Sequence, residues 1–413
     1  MVRVFAAYAA FAAAVAVSSF AAAETVGPVT DPIGVVKIAK GQPVVVGGYW
    51  PLNGPDGALG LDQKRGVELA IQDAKGTFDG HPIRLEAEDS QCSVEGGQTA
   101  AAKLATNPQV LAVIGPACSS EARGGAPILW QSGIPSIGTS ATAPTLTAPD
   151  RGPGFEGFLR TVHSDNAAAP VVAKYVREVL KADKVATIHD GTPYPEQVVR
   201  AFEEQFTMLG GQVVAREAVA PTDSDMRPVL TRVATAQPQV IFMPVFVNAA
   251  AFLVRQAKEV PGLQKTTLLG TDAVLSPNFL EAAGDAAVGY TIAGTDTSPQ
   301  ALGPRYVALL EKYKAKYGED PLAAFHPQGY DAGGVLLAAL KKVAVKGDDG
   351  ALYVGRKALR DALYATKDYE GVTGTLTCSP TGDCGQAKFH ILEFVGGSVD
   401  SYKVGVNPKV IWP

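Results

Sequence analysis

The chain has 413 residues, 46% of them hydrophobic, four cysteines and a formal net charge of −5. That length exceeds the usual size of one core and sets two domains as the starting expectation. The acidic balance excludes the basic footprint of a nucleic-acid binder.

In chain order, Arg3 gives a short positive start, residues 4–20 are almost wholly apolar, and Ala21-Ala22-Ala23 forms an A-x-A site before Glu24. This pattern predicts a cleavable secretory signal over residues 1–23. No later stretch approaches the ~18 apolar residues of a spanning helix. The first cysteine is Cys92, so no lipid anchor is expected, and the mature protein is read as exported and soluble.

After the signal the sequence alternates short apolar runs with amphipathic segments. Residues 43–48 read as a buried strand and 63–74 as a helix with Val67, Ala70, Ile71 and Ala74 on one face. Strands are predicted at 83–89, 110–115 and 134–138, and helices at 99–105 and 126–131. A Gly/Pro-rich break at 148–157 interrupts the rhythm. It resumes with a helix carrying Val172, Tyr175, Val176 and Val179 on one face, then a strand at 184–190. The helix at 196–209 aligns Val199, Phe202, Phe206 and Leu209. Strands at 212–219, 240–246 and 266–272 alternate with helices near 226–236 and 250–260. Repeated β-α units with continuous apolar strands predict an α/β fold of parallel sheets flanked by helices on both faces. The last third differs, with helices at 304–318, 329–344 and 356–367, then two alternating segments at 371–378 and 388–397.

Two stretches carry candidate chemistry. In "VIGPACSSEA" (113–122) a strand stops at Gly115-Pro116, and Cys118-Ser119 precedes a helix. Ser119 reads as a nucleophile, a helix cap or an anion cradle. No G-x-S-x-G elbow surrounds it and no histidine lies near it in sequence. A serine there serves as a cap, and in open α/β sheets the N–H groups at such helix starts also bind anions. "IPSIGTSATAP" (134–144) has the same form, with Thr139, Ser140 and Thr142 beyond a strand end. These hydroxyls are simple turn chemistry or, beside Ser119 on a parallel sheet, part of a wall of uncharged donors. The export signal makes disulfides the expectation for the four cysteines. The expected pairs are Cys92–Cys118, closing a loop of about 26 residues, and Cys378–Cys384. Scattered histidines and the absence of C-x-x-C predict no structural metal.

Six segments in order, residues 51–60, 89–104, 113–122, 134–147, 188–197 and 270–290, resemble the leucine/isoleucine/valine-binding family of periplasmic solute-binding proteins of ABC transporters. The resemblance covers nearly the whole mature chain. It implies two Rossmann-like lobes joined by three crossings, a ligand cleft between them, a hinge and no catalysis. The expected division is 24–162 with 292–388 for one lobe and 163–291 with 389–413 for the other. Crossings are expected near 161–163, 291–294 and 387–390. By position, the family's α-carboxylate cradle falls on Ser119, Ser140 and Thr142, with Cys118 and Ala141 beside them. Its second-lobe aromatic falls on Tyr194 and its ammonium-binding acid on Asp272, which also reads as a cap for the next turn. Leu59 stands where the family often has an aromatic. Trp50 or Tyr49 substitutes from that loop or is core packing. The expected function is capture of a small amino acid, with a branched aliphatic side chain, by a monomer that needs no cofactor and delivers to a membrane permease. Rivals are the same fold for an amide, urea or aromatic acid, a sensor, and a hydrolase using Ser119 or Cys118.

Overall fold

The computed structural model describes residues 23–386 and 389–412. The expected signal peptide lies outside them apart from Ala23.

Two sheets organise the molecule. The first contains β1 (Val44–Trp50), β2 (Thr77–Phe78), β3 (His81–Asp89), β4 (Val110–Ile114), β5 (Ser136–Gly138) and β6 (Phe158–Arg160), in the order β2-β3-β1-β4-β5-β6. All its neighbours are parallel except the β2–β3 hairpin at one edge. The second contains β7 (Lys184–His189), β8 (Gln212–Ala218), β9 (Val240–Phe242), β10 (Thr267–Thr271), β11 (Thr291–Thr295), β12 (Phe389–Glu393) and β13 (Lys409–Trp412), in the order β8-β7-β9-β10-β11-β12-β13. β12 pairs antiparallel with both β11 and β13. Central strands such as β4, buried at every residue, are covered on both faces, which is why they read as unbroken apolar runs.

The helices His326–Val343 and Pro304–Tyr317 return to the first sheet's side and pack on the helix Gly57–Asp73. A Cβ on Gly66 would lie 2.0 Å from the His326 carbonyl oxygen, so the close approach of these helices requires glycine. The buried Asp62 carboxylate ties the same elements together. It accepts from the N–H groups of Leu322, Phe325 and His326 at 3.1, 3.1 and 2.7 Å.

Thr291–Thr295 is a complete strand of the second sheet, paired with β10 and with β12. The second connection therefore starts after Thr295, not within 291–294, because those residues are held by ladders on both sides. The expected third crossing at 387–390 falls partly outside the described residues, at Ala387 and Lys388. Val179 is 45% exposed rather than on a buried face. The helix that begins at Ala168 continues as a π-helical turn over Tyr175–Val179, and the wider turn moves Val179 off the stripe. Leu209 is also exposed, as the residue that ends the helix Pro193–Met208.

Cys92 is joined to Cys118 and Cys378 to Cys384, with Cα–Cα separations of 5.3 and 3.7 Å.

Candidate functional site

The carboxyl ends of the two sheets face each other across a cleft of about 330 Å³, counted out to its mouth. Its rim is drawn together by bonds from one side to the other. Asn278 Nδ2 donates to the Pro55 carbonyl and the Thr145 N–H donates to Gln197 Oε1, each at 3.1 Å. Burial lifts the pKa of the Asp56 carboxyl, near the start of the helix Val247–Ala257, to about 6. A carboxyl placed at a helix N-terminus also gains from the dipole.

On the first sheet's side, β4 ends in Gly115-Pro116 and the helix Ser119–Gln131 begins. The cap is not Ser119, as expected, but Glu121. One Glu121 carboxylate oxygen accepts from the N–H groups of Ala117 and Cys118 at 3.1 and 2.8 Å, and the other from Cys92 N–H at 2.9 Å. Burial is the main cause of its pKa of about 7. Ser119 is the first helical residue, and its Oγ accepts from the Ala143 N–H at 3.1 Å. That leaves the Ser119 proton free to point into the cleft, beside first-turn N–H groups that have no acceptor within the helix. Ser140 is differently placed. Its hydroxyl donates to the Ala117 carbonyl at 2.8 Å and accepts from Gln63 Nε2 at 2.9 Å, so it has a lone pair and no proton to offer. Thr139 does not reach the cleft and is bonded to Gln63 and Trp50.

On the second sheet's side, Tyr194 is the second residue of its helix. Its hydroxyl meets Thr271 Oγ1 at 2.7 Å and its ring lies 5.5 Å from that of Phe246. Asp272 directly follows β10 and is 9% exposed. It does not cap the next turn; its carboxylate accepts from Thr295 N–H at 3.4 Å. Burial and the nearby Asp165 push its pKa up to about 7. A Cβ on Gly294 would stand 2.7 Å from the Asp272 Cβ, so the neighbouring strand makes room for this acid with a glycine.

The cleft thus brings Cys118, Ser119, Ser140, Thr142, Tyr194 and Asp272 together. It does not bring in Ala141, Trp50 or Tyr49. Ala141 is fully buried and presents its carbonyl to Arg160. Trp50 is fully buried, with its indole N–H donating to Thr139 Oγ1 at 3.2 Å. Tyr49 is fully buried in the cluster around Ala101 and Leu129. Leu59, the departure from the family pattern, lines the cleft, together with Phe246, Phe325, Ala117 and Ala273. Phe246 ends the apolar run 240–246 just before a helix, a visible signal. Phe325 carries none, because Asp62 positions it from 263 residues away in sequence.

A family model described as periplasmic binding protein matches residues 43–397. The Leu/Ile/Val-binding protein BraC3 of Rhizobium johnstonii is 27% identical over 86% of this chain and 93% of its own length. The crystal structure of a leucine-binding protein from Thermotoga maritima matches with a TM-score of 0.76 and 25% identity, covering 86% of this chain and 96% of that one. A branched-chain amino acid transporter substrate-binding protein from Streptococcus pneumoniae, solved with isoleucine, matches with a TM-score of 0.76 at 24% identity, over 90% of this chain and all of that one.

Proposed function

Since the chain belongs to the periplasmic binding protein family, we propose that it is an exported receptor for a small aliphatic amino acid, with a branched side chain, that passes its ligand to an ABC permease. One observation carries the reading: a buried carboxyl, Asp272, stands across an otherwise mostly apolar cleft from a helix N-terminus and the free Ser119 proton. That is the complement of a zwitterion, whose carboxylate is suited to the helix start and whose ammonium is suited to Asp272. Leu59, Phe246 and Phe325 offer an apolar wall to the side chain. The Leu/Ile/Val-binding relative supports the ligand class.

The lobes of this receptor are residues 24–162 with 298–386, and 163–295 with 389–412, and the connections between them are the hinge. Closure brings Tyr194 and Asp272 onto a ligand already held by Ser119, and expels water, which strengthens each polar contact. The receptor works as a monomer and without catalysis. Ser119 supports this, since its oxygen is bonded to a backbone N–H rather than to a base. A ligand bearing only a carboxylate, such as an aromatic acid, leaves Asp272 with no cation.

Mass spectrometry of extracts from the purified protein, followed by calorimetry with leucine, isoleucine, valine, alanine, benzoate and urea, tests the reading. An unchanged branched-chain amino acid is the expected co-purifying species. Heat from benzoate or urea and none from the amino acids would overturn it.

A further inference from the structure

A second cavity lies where the two sheets are joined, apart from the ligand cleft. It measures about 1680 Å³ counted out to its mouth, and none of its lining residues lines the cleft. His163, Thr297 and Gln386, one from each connection between the sheets, stand in its wall. The connections are closely built. A Cβ on Gly385, where the third begins, would lie 2.1 Å from the Thr161 carbonyl oxygen on the first. Thr161 Oγ1 in turn donates to the Gln328 carbonyl at 3.0 Å, which ties the helix His326–Val343 to the first connection. A further wall is the turn 372–375. It is held by Asp331, whose carboxylate accepts from the Val372 and Thr373 N–H groups at 2.8 and 2.9 Å.

Three buried polar atoms of residues lining this cavity have no partner among the described residues: Gln328 Oε1, Thr295 Oγ1 and His390 Nδ1. Gln328 and Thr295 are 6% and 8% exposed. Buried polar atoms are ordinarily hydrogen-bonded, and leaving one unmet is costly. Gln328 comes from the first sheet's side, and Thr295 and His390 from β11 and β12 of the second. We propose that this cavity is a second binding site, for a neutral polyhydroxylated solute such as a sugar, and that its occupant favours the lobe arrangement in which the cleft rim is drawn together. The site goes beyond the amino-acid reading and does not depend on it.

The chemistry of the wall selects the class. An amide oxygen only accepts, whereas a threonine hydroxyl and an imidazole nitrogen donate or accept according to their state. A ligand hydroxyl does both, so a molecule carrying several meets all three atoms. An anion finds no lysine or arginine among the described lining residues, and one carboxylate, Asp296. A cation finds that carboxylate partly used, since its Oδ1 accepts from the Ser298 N–H at 2.8 Å. His163 is held neutral, its pKa pushed down to about 3 by burial and by Arg160. Its ring packs edge-on against Phe389, with centroids 4.5 Å apart. Val162 and Leu302 offer apolar surface to the C–H groups of a sugar ring. The link to the cleft follows from position. Rotating one lobe against the other changes the spacing between Gln328 on one side and Thr295 and His390 on the other. The rim bonds Asn278–Pro55 and Thr145–Gln197 belong to the arrangement that sets this spacing. Each ligand therefore raises the affinity for the other by the same factor.

Calorimetry on the ligand-free protein with glucose, trehalose and sorbitol tests the site, with putrescine and citrate as charged comparisons. At least one of the three is expected to bind saturably with a Kd below about 1 mM, and neither charged probe to bind. At such concentrations the general stabilisation by excluded sugars is small, and it acts equally on the variants. Gln328→Leu removes the amide and keeps the bulk. It should weaken the sugar ~5-fold or more, the worth of one uncharged hydrogen bond, and leave leucine binding in sugar-free buffer unchanged. Thr295→Val is a second, isosteric variant should Gln328→Leu fail to fold, and it should weaken the sugar similarly. With the sugar at saturation, leucine should bind the wild type ~5-fold or more tightly than without it, and the gain should shrink in the variants. No saturable heat from any of the three, binding of putrescine or citrate instead, sugar affinity untouched in both variants, or leucine affinity unmoved by the sugar would each overturn the proposal. A wild type that binds a sugar but no amino acid overturns the amino-acid reading alone.

Discussion

Replacing Asp272 by Asn keeps size and hydrogen-bonding capacity and removes the charge. Asp272 is 9% exposed, and its carboxylate bond to the chain is a long one, 3.4 Å from Thr295 N–H, so little in the protein compensates a cation left there alone. Leaving a desolvated ammonium without its counter-ion costs about 3–5 kcal/mol, or roughly 10² to 4 × 10³ in affinity at ~1.4 kcal/mol per factor of ten. The pH dependence sharpens the test. With its pKa near 7, Asp272 in the empty protein is mostly neutral at pH 6 and mostly ionised at pH 8. The wild type must ionise it to bind, which costs about tenfold more at pH 6. The Asn variant has no such cost. The wild-type advantage should therefore be about tenfold smaller at pH 6 than at pH 8. Calorimetry with leucine at both pH values measures it, with thermal melts as the control for folding. The empty variant should melt no lower than the wild type at pH 8, since a buried charge has been removed. Binding by the variant within threefold of wild type at pH 8 would refute the ammonium role of Asp272.

Three further outcomes are expected. Asn278→Ala removes an amide that donates to the Pro55 carbonyl across the rim at 3.1 Å; it should weaken leucine binding several-fold through faster release, seen by stopped-flow, without changing the preference among amino acids. Breaking the Cys92–Cys118 bond with a paired Ser substitution should cost about 3–4 kcal/mol by loop entropy, read as a lower denaturation midpoint, whereas losing the six-residue loop of Cys378–Cys384 should cost only about 2 kcal/mol. Glu121, Asp165 and Asp272 have folded pKa values near 7, above their unfolded values. The unfolded chain loses these protons first, so the ligand-free protein should be most stable below about pH 4–5 as far as these groups are concerned and lose stability as pH rises to 7; melts in ligand-free buffer between pH 5 and 8 check the sign, and leucine should raise the melting temperature more at pH 8 than at pH 6.

Much of the architecture was legible from period and punctuation. Strands buried on both faces leave unbroken apolar runs, as in 110–114. The hydroxyls, Tyr194 and Asp272 sit directly after strands or at helix starts, where backbone direction alone places them near the cleft. Trp50 and Tyr49 show where that logic ends. They close β1, next to the cleft in sequence, but side chains of a strand point to its two faces and not along its axis. Both rings enter the cores on either side of the sheet, and Leu59, within the next helix, reaches the cleft instead.

The sequence by itself determined the alternation of strands and helices, because this depends on neighbours within one or two elements, whereas the two lobes and the candidates for holding a zwitterion came through the family resemblance. Only the tertiary structure decided the direction of each hydrogen bond and the charge on each acid. Glu121 took the cap from Ser119 because three N–H groups from two segments converge on it. Ser140 became an acceptor because Ala117 and Gln63, distant in sequence, reach it together. A residue type sets what a side chain can donate or accept, but which proton goes where depends on partners that only the folded chain brings within 3 Å or so.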